Sequence, residues 1–570
     1  MKRTIFTLAL LLGLTMLVSP AEPITKILVD TDSAQTLTNK SLDFACNVKT
    51  DGATGDGSTN DAAAINTTFD DPDCSTIVFP PGTYIIQSRI EENRSNVRVV
   101  GYGATIKKGG SFSAGTGINT MMAVGAAATI TADRNFEDFT AYSISDPTQG
   151  SATLTFTTGA ETSNFQAGDV VVIKSNELYG AENPVLFEYN EVLSVASPNV
   201  TLKNEVRFFN ETTWAYEIIN ISRATNYLIS NVEVEGLTFD DNSATTGSLF
   251  VSLFVRNGHF HHLAFTPSSS SGLFGLYYSW NVQADHNRIV GVDGDGTGII
   301  TAGIDTFSVD HNTLSHLARA IQSDIITAWG SFSQNRMDDM GEYCFIVVDN
   351  YYVSFTDNIG MNCDDFGIYI KNSKYYSIEN NQFHYIIDTA NFGDNIRAFY
   401  DGSEVASNTN YQNVYSVIRG NTLVGSDGVP IRLHFRSTPT TTYINYVVVK
   451  DNLTVNGGEG GIMVSANSTF IESLGNLPSI AAVLTVNADT TPDVSNGSLF
   501  TVTNSGGTTI TAFDNCQAGK IFTLLFTDAN TTVTDGGTIA LSAVFTSTAN
   551  DTMSFYCDGT NAYETARAVN

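Results

Sequence analysis

Basic side chains are scarce: 28 Lys and Arg stand against 59 Asp and Glu, a formal charge of −31. Such a surface repels DNA, RNA and anionic membranes, so nucleic-acid readings drop away and a polyanionic substrate would need a local basic patch or a bridging cation. Charge as a whole is thin. Asp, Glu, Lys and Arg make up 15% of the chain against 42% hydrophobic and 11% aromatic residues, which excludes extended disorder and leaves ample material for a packed interior. No C-x-x-C occurs and no His lies at ligand spacing from a Cys, so a cysteine-based metal centre is excluded. Beyond the N-terminus no stretch is long and apolar enough to cross a bilayer. Through the repeats from about Asn231 onward, helical periodicity and the framework of leucine-rich repeats are also missing.

What is present begins with Lys2 and Arg3, an apolar run from Ile5 to Val18, and Ser19-Pro20-Ala21 before Glu22. That order predicts a secretory signal peptide over residues 1–21 and a secreted, extracellular or periplasmic product. Its six cysteines then fall in an oxidising compartment as three sequence-local pairs: Cys46 with Cys74, Cys344 with Cys363, and Cys516 with Cys557. The middle pair sits at different places in the repeat described next, which leaves its pairing open.

From about Asn231 one phrase recurs, a strand ending in a small polar residue and then an apolar one: D-H-N-R-I, D-H-N-T-L, S-Q-N-R-M, E-N-N-Q-F, G-N-T-L and K-D-N-L. With Gly236, His262, Asn287, Asn312, Asn335, Asn358 and Asn381 as markers the steps are 26, 25, 25, 23, 23 and 23, and Asn421 and Asn452 follow after 40 and 31. A period in the low twenties with β-branched and aromatic alternation marks a solenoid of short parallel strands. Asparagine at the same corner of successive coils bonds the coils above and below. The expected fold is all-β: a right-handed parallel β-helix over 219–477, preceded by an N-terminal cap and first coil over 22–125. A small β subdomain is inserted over 126–218, and a β-sandwich-like module spans 478–570.

The glycine-rich run T-D-G-A-T-G-D-G-S-T-N-D-A-A-A-I crowds Asp51, Asp56 and Asp61 together, a cation-site or acid/base pattern on its face. Its residues read better as scaffolding: Ser58, Thr59 or Asn60 N-caps a helix from about Asp61 to Phe69, and Pro80-Pro81-Gly82 turns into the next strand. The alternating oxygen ligands of an EF-hand are missing. Together with V-F-P-P-G-T-Y-I-I and V-R-V-V-G-Y-G-A-T-I, this run resembles the N-terminal signature of the pectate-lyase-like superfamily, which includes polygalacturonases, rhamnogalacturonases, alginate epimerases and phage tailspike depolymerases. The resemblance implies the β-helix and an extracellular polysaccharide as substrate, cut by glycoside hydrolysis or β-elimination. The competing class is a non-catalytic glycan-binding adhesin or tail-fibre-like protein, and tailspikes add a homotrimer by analogy.

Aligned coils place an acid before one strand repeatedly, at Asp295, Glu342, Asp364-Asp365, Asp394, Asp427 and Glu459, and only the Arg319 coil breaks the row. Coils stand about 4.8 Å apart. One coil of separation is near the carboxyl spacing of retaining glycosidases and two near that of inverting ones. By resemblance to polygalacturonases, Glu342, Asp364 and Asp365 take the acid places and Arg432-Leu433-His434 the place of a basic pair. The family's G-H-G is absent, with Gly393-Asp394-Asn395 in its coil. Alternation turns Ile368 and Ile370 inward and exposes Tyr369, Lys371, Arg397, Arg432 and His434. Two chemistries follow. Arg397 and Arg432 neutralise a uronate while Lys371, His434 or Tyr369 takes the C5 proton, or Asp364, Asp365 and Glu342 act on a neutral chain. Acids before strands are also ordinary turn residues. Asp293 and Asp338-Asp339 are loop residues or ligands of Ca²⁺, and His259, His261, His262, His286, His311 and His316 read as corner hydrogen-bonders in preference to zinc ligands.

Overall fold

The computed structural model describes residues 44–569 except 132–135, 146, 179–184, 208–214, 224–226, 243–246, 268–271, 293, 325–326, 372, 387–392, 402–412, 437–442, 456–461, 465–467, 475, 477–483, 487–488, 495–498 and 517–518. The signal-peptide expectation for residues 1–21 lies outside the described residues.

Short alternating strands such as Asp305–Asp310 and Tyr351–Thr356 bury every second side chain. Each cannot close a core alone, so successive strands stack in parallel and in register. Val99 faces Val234, which faces Phe260, and the same column continues through Ala284, Val309, Phe332, Phe355, Ile378 and Ile418 to Val449. All are buried in one continuous interior. This is the parallel β-helix. Its described strands form a thirteen-stranded sheet and a second, merged sheet of twenty-one strands.

The corner asparagines bind the stack together as the repeat predicts. Asn358 Oδ1 accepts from both the backbone N–H and Nδ2 of Asn335 at 3.0 Å each. Its own Nδ2 donates to Phe332 O at 2.9 Å and to Asn381 Oδ1 at 2.8 Å. The pattern runs Asn287, Asn312, Asn335, Asn358, Asn381, Asn421, Asn452 and on to Asn476, a rung the repeat markers did not include. The first two markers were one residue out of phase. Leu263 N, not His262 N, donates to Asn287 Oδ1, and Gly236 and His262 instead stand in line with His286 and His311. Those corner residues, from Gly236 to Asp451, take left-handed backbone with φ near +55° to +74°.

The described strands from Ala141–Ile144 to Tyr216–Asn220 form a six-stranded antiparallel sheet outside the coil. It packs on the coil through Phe136 against Tyr278, ring centroids 5.0 Å apart, and through Tyr189 stacked on Trp280. Fully buried Asp305 accepts from Tyr189 N at 2.9 Å and pairs with Arg207 across the same contact. The C-terminal strands from Leu484–Val486 to Ala562–Ala568 form two further sheets that pair in both senses around their own core. All three cysteine pairs are bonded. Cys363 is one strand over from Met340, not from Cys344, yet both thiols turn into the solenoid interior and join across adjacent coils with Cα atoms 5.8 Å apart.

The opening acids are scaffolding. The helix runs Ala62–Asp70 with Asp61 itself at the N-cap, so Ser58 and Thr59 are not the cap. Buried Asp61 instead folds its carboxylate back onto Thr54 N at 2.7 Å, Thr54 Oγ1 at 3.1 Å and Gly55 N at 3.1 Å. Asp56 accepts from Ser58 N and Thr59 N, which holds its carboxyl far below the usual carboxylate range. Asp51 accepts from Thr68 Oγ1 at 2.7 Å.

Replacing Asn358 by Ala removes partners from the Asn335 N–H, Asn335 Nδ2 and Phe332 O together, and each orphaned buried group costs ~1–3 kcal/mol. A clear fall in melting temperature is expected, against little change for Asn257→Ala in the exposed surface ladder. Equal melting curves for the two variants would refute the buried ladder's role.

Candidate functional site

The outward columns of the merged sheet assemble the candidate groups. Along one column Arg319 faces Tyr343, Tyr343 faces Phe366 and Phe366 faces Asp394. Three residues on, Ile346 faces Tyr369, Tyr369 faces Arg397 and Arg397 faces Arg432. Ile368 and Ile370 are fully buried while Tyr369 and Lys371 are part-exposed, as strand alternation requires.

Glu342 and the Asp364-Asp365 pair lie on consecutive coils, with Asp365 N donating to Glu342 O at 2.8 Å. Like-charged carboxylates one coil apart repel by about 1 kcal/mol even in bulk water. Arg319 relieves this. Its Nε sits 2.6 Å from Glu342 Oε2, so the residue that breaks the acidic row in sequence is the row's counter-ion in space. Asp364 is exposed and Asp365 half-buried.

Asp394 and Arg432 depart from the expected rim. Asp394 is fully buried and Arg432 is 7% exposed. Arg432 Nε lies 2.7 Å from Asp394 Oδ2 and Nη2 3.3 Å from Oδ1, and Val429 N donates to Oδ1 at 2.8 Å. The two charges bridge adjacent coils and turn to each other instead of to solvent. Burial raises the Asp394 pKa, and the Arg432 bonds oppose that shift.

Two aromatics that the sequence reading passed over complete the strip. Tyr343 and Phe366 stack with centroids 5.5 Å apart, and Tyr369 lies 5.2 Å from Phe366. Arg319 and Arg397 rest over Tyr343 and Phe366 at 5.7 and 5.2 Å. The signal was available: each follows an acid of the row, in Glu342-Tyr343 and Asp365-Phe366. Burial, with Asp365 and Glu342 adding to it, pushes the Tyr343 hydroxyl up to about 12, which keeps it protonated near neutral pH.

Other expected groups fall elsewhere. His434 shares the strand Ile431–Arg436 and pairs in register with Phe399, and its side chain lies outside the described part. Asp295 and Asp427 are exposed, and Glu459 and Asp293 are outside the described residues. Of the suggested Ca²⁺ ligands, Asp338 Oδ1 accepts from Asn362 Nδ2 at 3.0 Å and Asp339 faces His316 at 3.3 Å.

Comparison with known proteins bears on this arrangement. The family described as Rhamnogalacturonase A/epimerase, pectate lyase-like, matches residues 45–322. The tailspike gp61 of Pseudomonas phage phi297 superposes with a TM-score of 0.50 at 12% identity, over 91% of this chain and 97% of that one. The chain has the parallel β-helix fold of the pectate-lyase-like superfamily, and its residues 45–322 match that family. Two further solved structures are similar: the tailspike gp49 from Pseudomonas phage LKA1, with a TM-score of 0.46, 14% identity and coverage of 75% and 84%, and an exopolygalacturonase from Thermotoga maritima, with 0.40, 9%, 77% and 92%. No curated protein sequence matches. The family match ends at residue 322, before Glu342, so the match itself assigns nothing to Glu342, Asp364, Asp365, Arg397 or Arg432.

Breaking one partner of the Asp394–Arg432 pair leaves the other charge buried, at a cost of ~3–5 kcal/mol. Asp394→Asn and Arg432→Met should each lower the chemical-denaturation midpoint, and the Asp394→Leu/Arg432→Met double variant should recover most of the loss. A double variant as unstable as the sum of the single ones would show that the two do not act as a pair.

Proposed function

We propose that the chain is a secreted carbohydrate-active enzyme that binds an extracellular polysaccharide along the coils from Glu342 to His434 and cleaves it. The observation that carries this reading is the alignment, on consecutive coils, of the acids Glu342, Asp364 and Asp365 beside a strip of Tyr343, Phe366, Tyr369 and Arg397. Tyr369 and the Arg397 guanidinium next to paired carboxyls suit a sugar polymer's hydroxyl edges and charged substituents. The family description, which names a rhamnogalacturonase and an epimerase, supports a carbohydrate-binding or carbohydrate-degrading role.

Exposed Asp364 and half-buried Asp365, beside the aromatic strip, are the best source of a general acid or nucleophile on a neutral chain. One coil, about 4.8 Å, separates their backbones from that of Glu342, near the carboxyl spacing of retaining glycosidases. On a uronate polymer Arg397 is the cation placed to meet the carboxylate, with Arg432 behind it, and Lys371, Tyr369 or His434 takes the C5 proton. Asp394 then serves by holding Arg432 in place.

A second reading, glycan binding without cleavage, is favoured by one specific observation: Glu342 is already neutralised in the resting structure. A panel of neutral and uronate polysaccharides separates the readings. Hydrolysis releases reducing ends alone, elimination adds ultraviolet absorbance from unsaturated products, and a binder does neither while still retaining the polymer. Asp365→Asn should lower kcat ~100-fold or more on the cleaved polymer without shifting the melting temperature. Full activity in Asp365→Asn and Arg397→Ala alike would place the chemistry elsewhere.

Export fits the three disulfides, which persist in oxidising compartments. Expressed in a secreting host, the mature protein should begin at Glu22 by N-terminal mass spectrometry, and an intact Met1 would refute the signal-peptide assignment. Among the described residues no helix is long and apolar enough to cross a membrane. Trimer formation, the tailspike analogy, is open to light scattering.

A further inference from the structure

We propose that Glu233, His259 and His261 form a zinc site on the outer face of the thirteen-stranded sheet, not on the merged sheet that carries the acidic row. In N-G-H-F-H-H the strand Val255–His261 sets His259 and His261 two residues apart, hence on one face, with Phe260 buried between them. Their rings lie 4.0 Å apart and 22° from parallel. The preceding coil places Glu233 opposite His259 and Glu235 opposite His261, and the following coil places Asp285 opposite His261. One donor atom from each of Glu233, His259 and His261 lies within 4.8 Å of the others.

Those atoms are now bridged by hydrogen bonds. His261 Nε2 is 3.0 Å from Glu233 Oε1 and 3.8 Å from Glu235 Oε2, and His259 Nε2 is 2.6 Å from Asp285 Oδ1. Ligands held about 2.0–2.1 Å from a tetrahedral zinc stand roughly 3.4 Å from one another, so small side-chain rotations convert the cluster. Zn²⁺ takes the place of the bridging protons: an imidazolium gives its Nε2 proton to solvent, a neutral ring carries its proton on Nδ1, and Asp285 or a water completes the fourth position.

The surroundings are those of a cation site. Glu233, Glu235 and Asp285 bring three carboxylates, and Arg98, which contacts Glu233 at 3.4 Å and also Glu235, is the facing guanidinium. His261 Nδ1 is 2.8 Å from His262 Nδ1, so His262 fixes the ring whose Nε2 faces the metal. His286 Nδ1 lies 2.7 Å from Asp285 Oδ2 and orients that carboxylate. Two imidazoles with one or two carboxylates suit zinc, where calcium wants six or more oxygens. Bound there, the ion ties three consecutive coils across their outer face.

The test is calorimetric titration of chelator-treated full-length protein with ZnCl₂ near neutral pH. A saturable one-to-one isotherm is expected, together with a rise in melting temperature on adding zinc and a tetrahedral ligand-field spectrum on adding Co²⁺. His259→Ala and His261→Ala should each weaken zinc binding ~100-fold or more and His262→Ala ~10-fold, while His311→Ala leaves it unchanged. Glu233→Gln, at a part-exposed position, repeats the test if a histidine variant fails to fold. Absence of an isotherm in the wild type, or an unchanged isotherm in the His259→Ala/His261→Ala double variant, overturns the site.

Discussion

The asparagine ladder is the constraint on which the rest of the structure depends. A parallel coil slipped by one residue still pairs its backbone, but it turns every side chain to the other face. Asparagine removes that freedom because its amide has two donors and two acceptor directions, and at this corner each is used. The Oδ1 takes two hydrogen bonds from the coil before, and the Nδ2 gives one to a backbone carbonyl and one to the next amide. Inside a buried bend no shorter, longer or charged side chain satisfies all four. With the phase of each coil pinned there, the outward columns far from the corner inherit their alignment, including Tyr343 over Phe366 and Tyr369 beside Arg397.

The same stacking that aligns functional groups creates an electrostatic problem. Any acid repeated in a column meets its copy about 4.8 Å away, and the chain carries a large acidic excess. Few cations are available, and they are spent on particular carboxylates: Arg319 on Glu342, Arg432 on Asp394 and Arg207 on Asp305. Two of these acids are fully buried, so their partners serve the fold before any substrate arrives. Asp364 and Asp365 lie nearer solvent than Asp394 and Asp305, one coil from Glu342. An unequal distribution of cations over a row of similar acids is how chemically distinct carboxyls arise on a repetitive scaffold.

Periodic features were legible in the sequence because they are local and repeated. The period, the asparagine corner and the inward alternation of Ile368 and Ile370 all follow from spacing along one strand and one coil. The phase of the earliest markers was not. Before Asn287 the ladder position holds Leu237 and Leu263, which look like ordinary core, and the eye is drawn to the neighbouring Gly236 and His262. Burial of Asp394 and Arg432 was equally hidden. Strand alternation tells which side of the backbone a side chain leaves from, but a guanidinium long enough to reach the next coil chooses its direction by where a carboxylate lies. Asp61 makes the same point at short range: its position suits a helix N-terminus, yet three donors in the preceding loop claim its oxygens.

These partnerships also limit how a polymer could sit on the strip. Tyr343 and Phe366 stack along the coil axis and carry Arg319 and Arg397 against their rings, so their faces are largely occupied by protein. Phe366 is 8% exposed. Neither ring therefore offers the broad open face on which a sugar stacks. What remains toward solvent is Tyr369, the stem of Arg397, the Asp364-Asp365 pair and Lys371, a narrow band crossing two to three coils. A chain lying there would be held more by hydrogen bonds and charge than by ring stacking. That arrangement favours recognition of a polymer's substituents, a carboxylate or an acetamido group, over recognition of a bare sugar face.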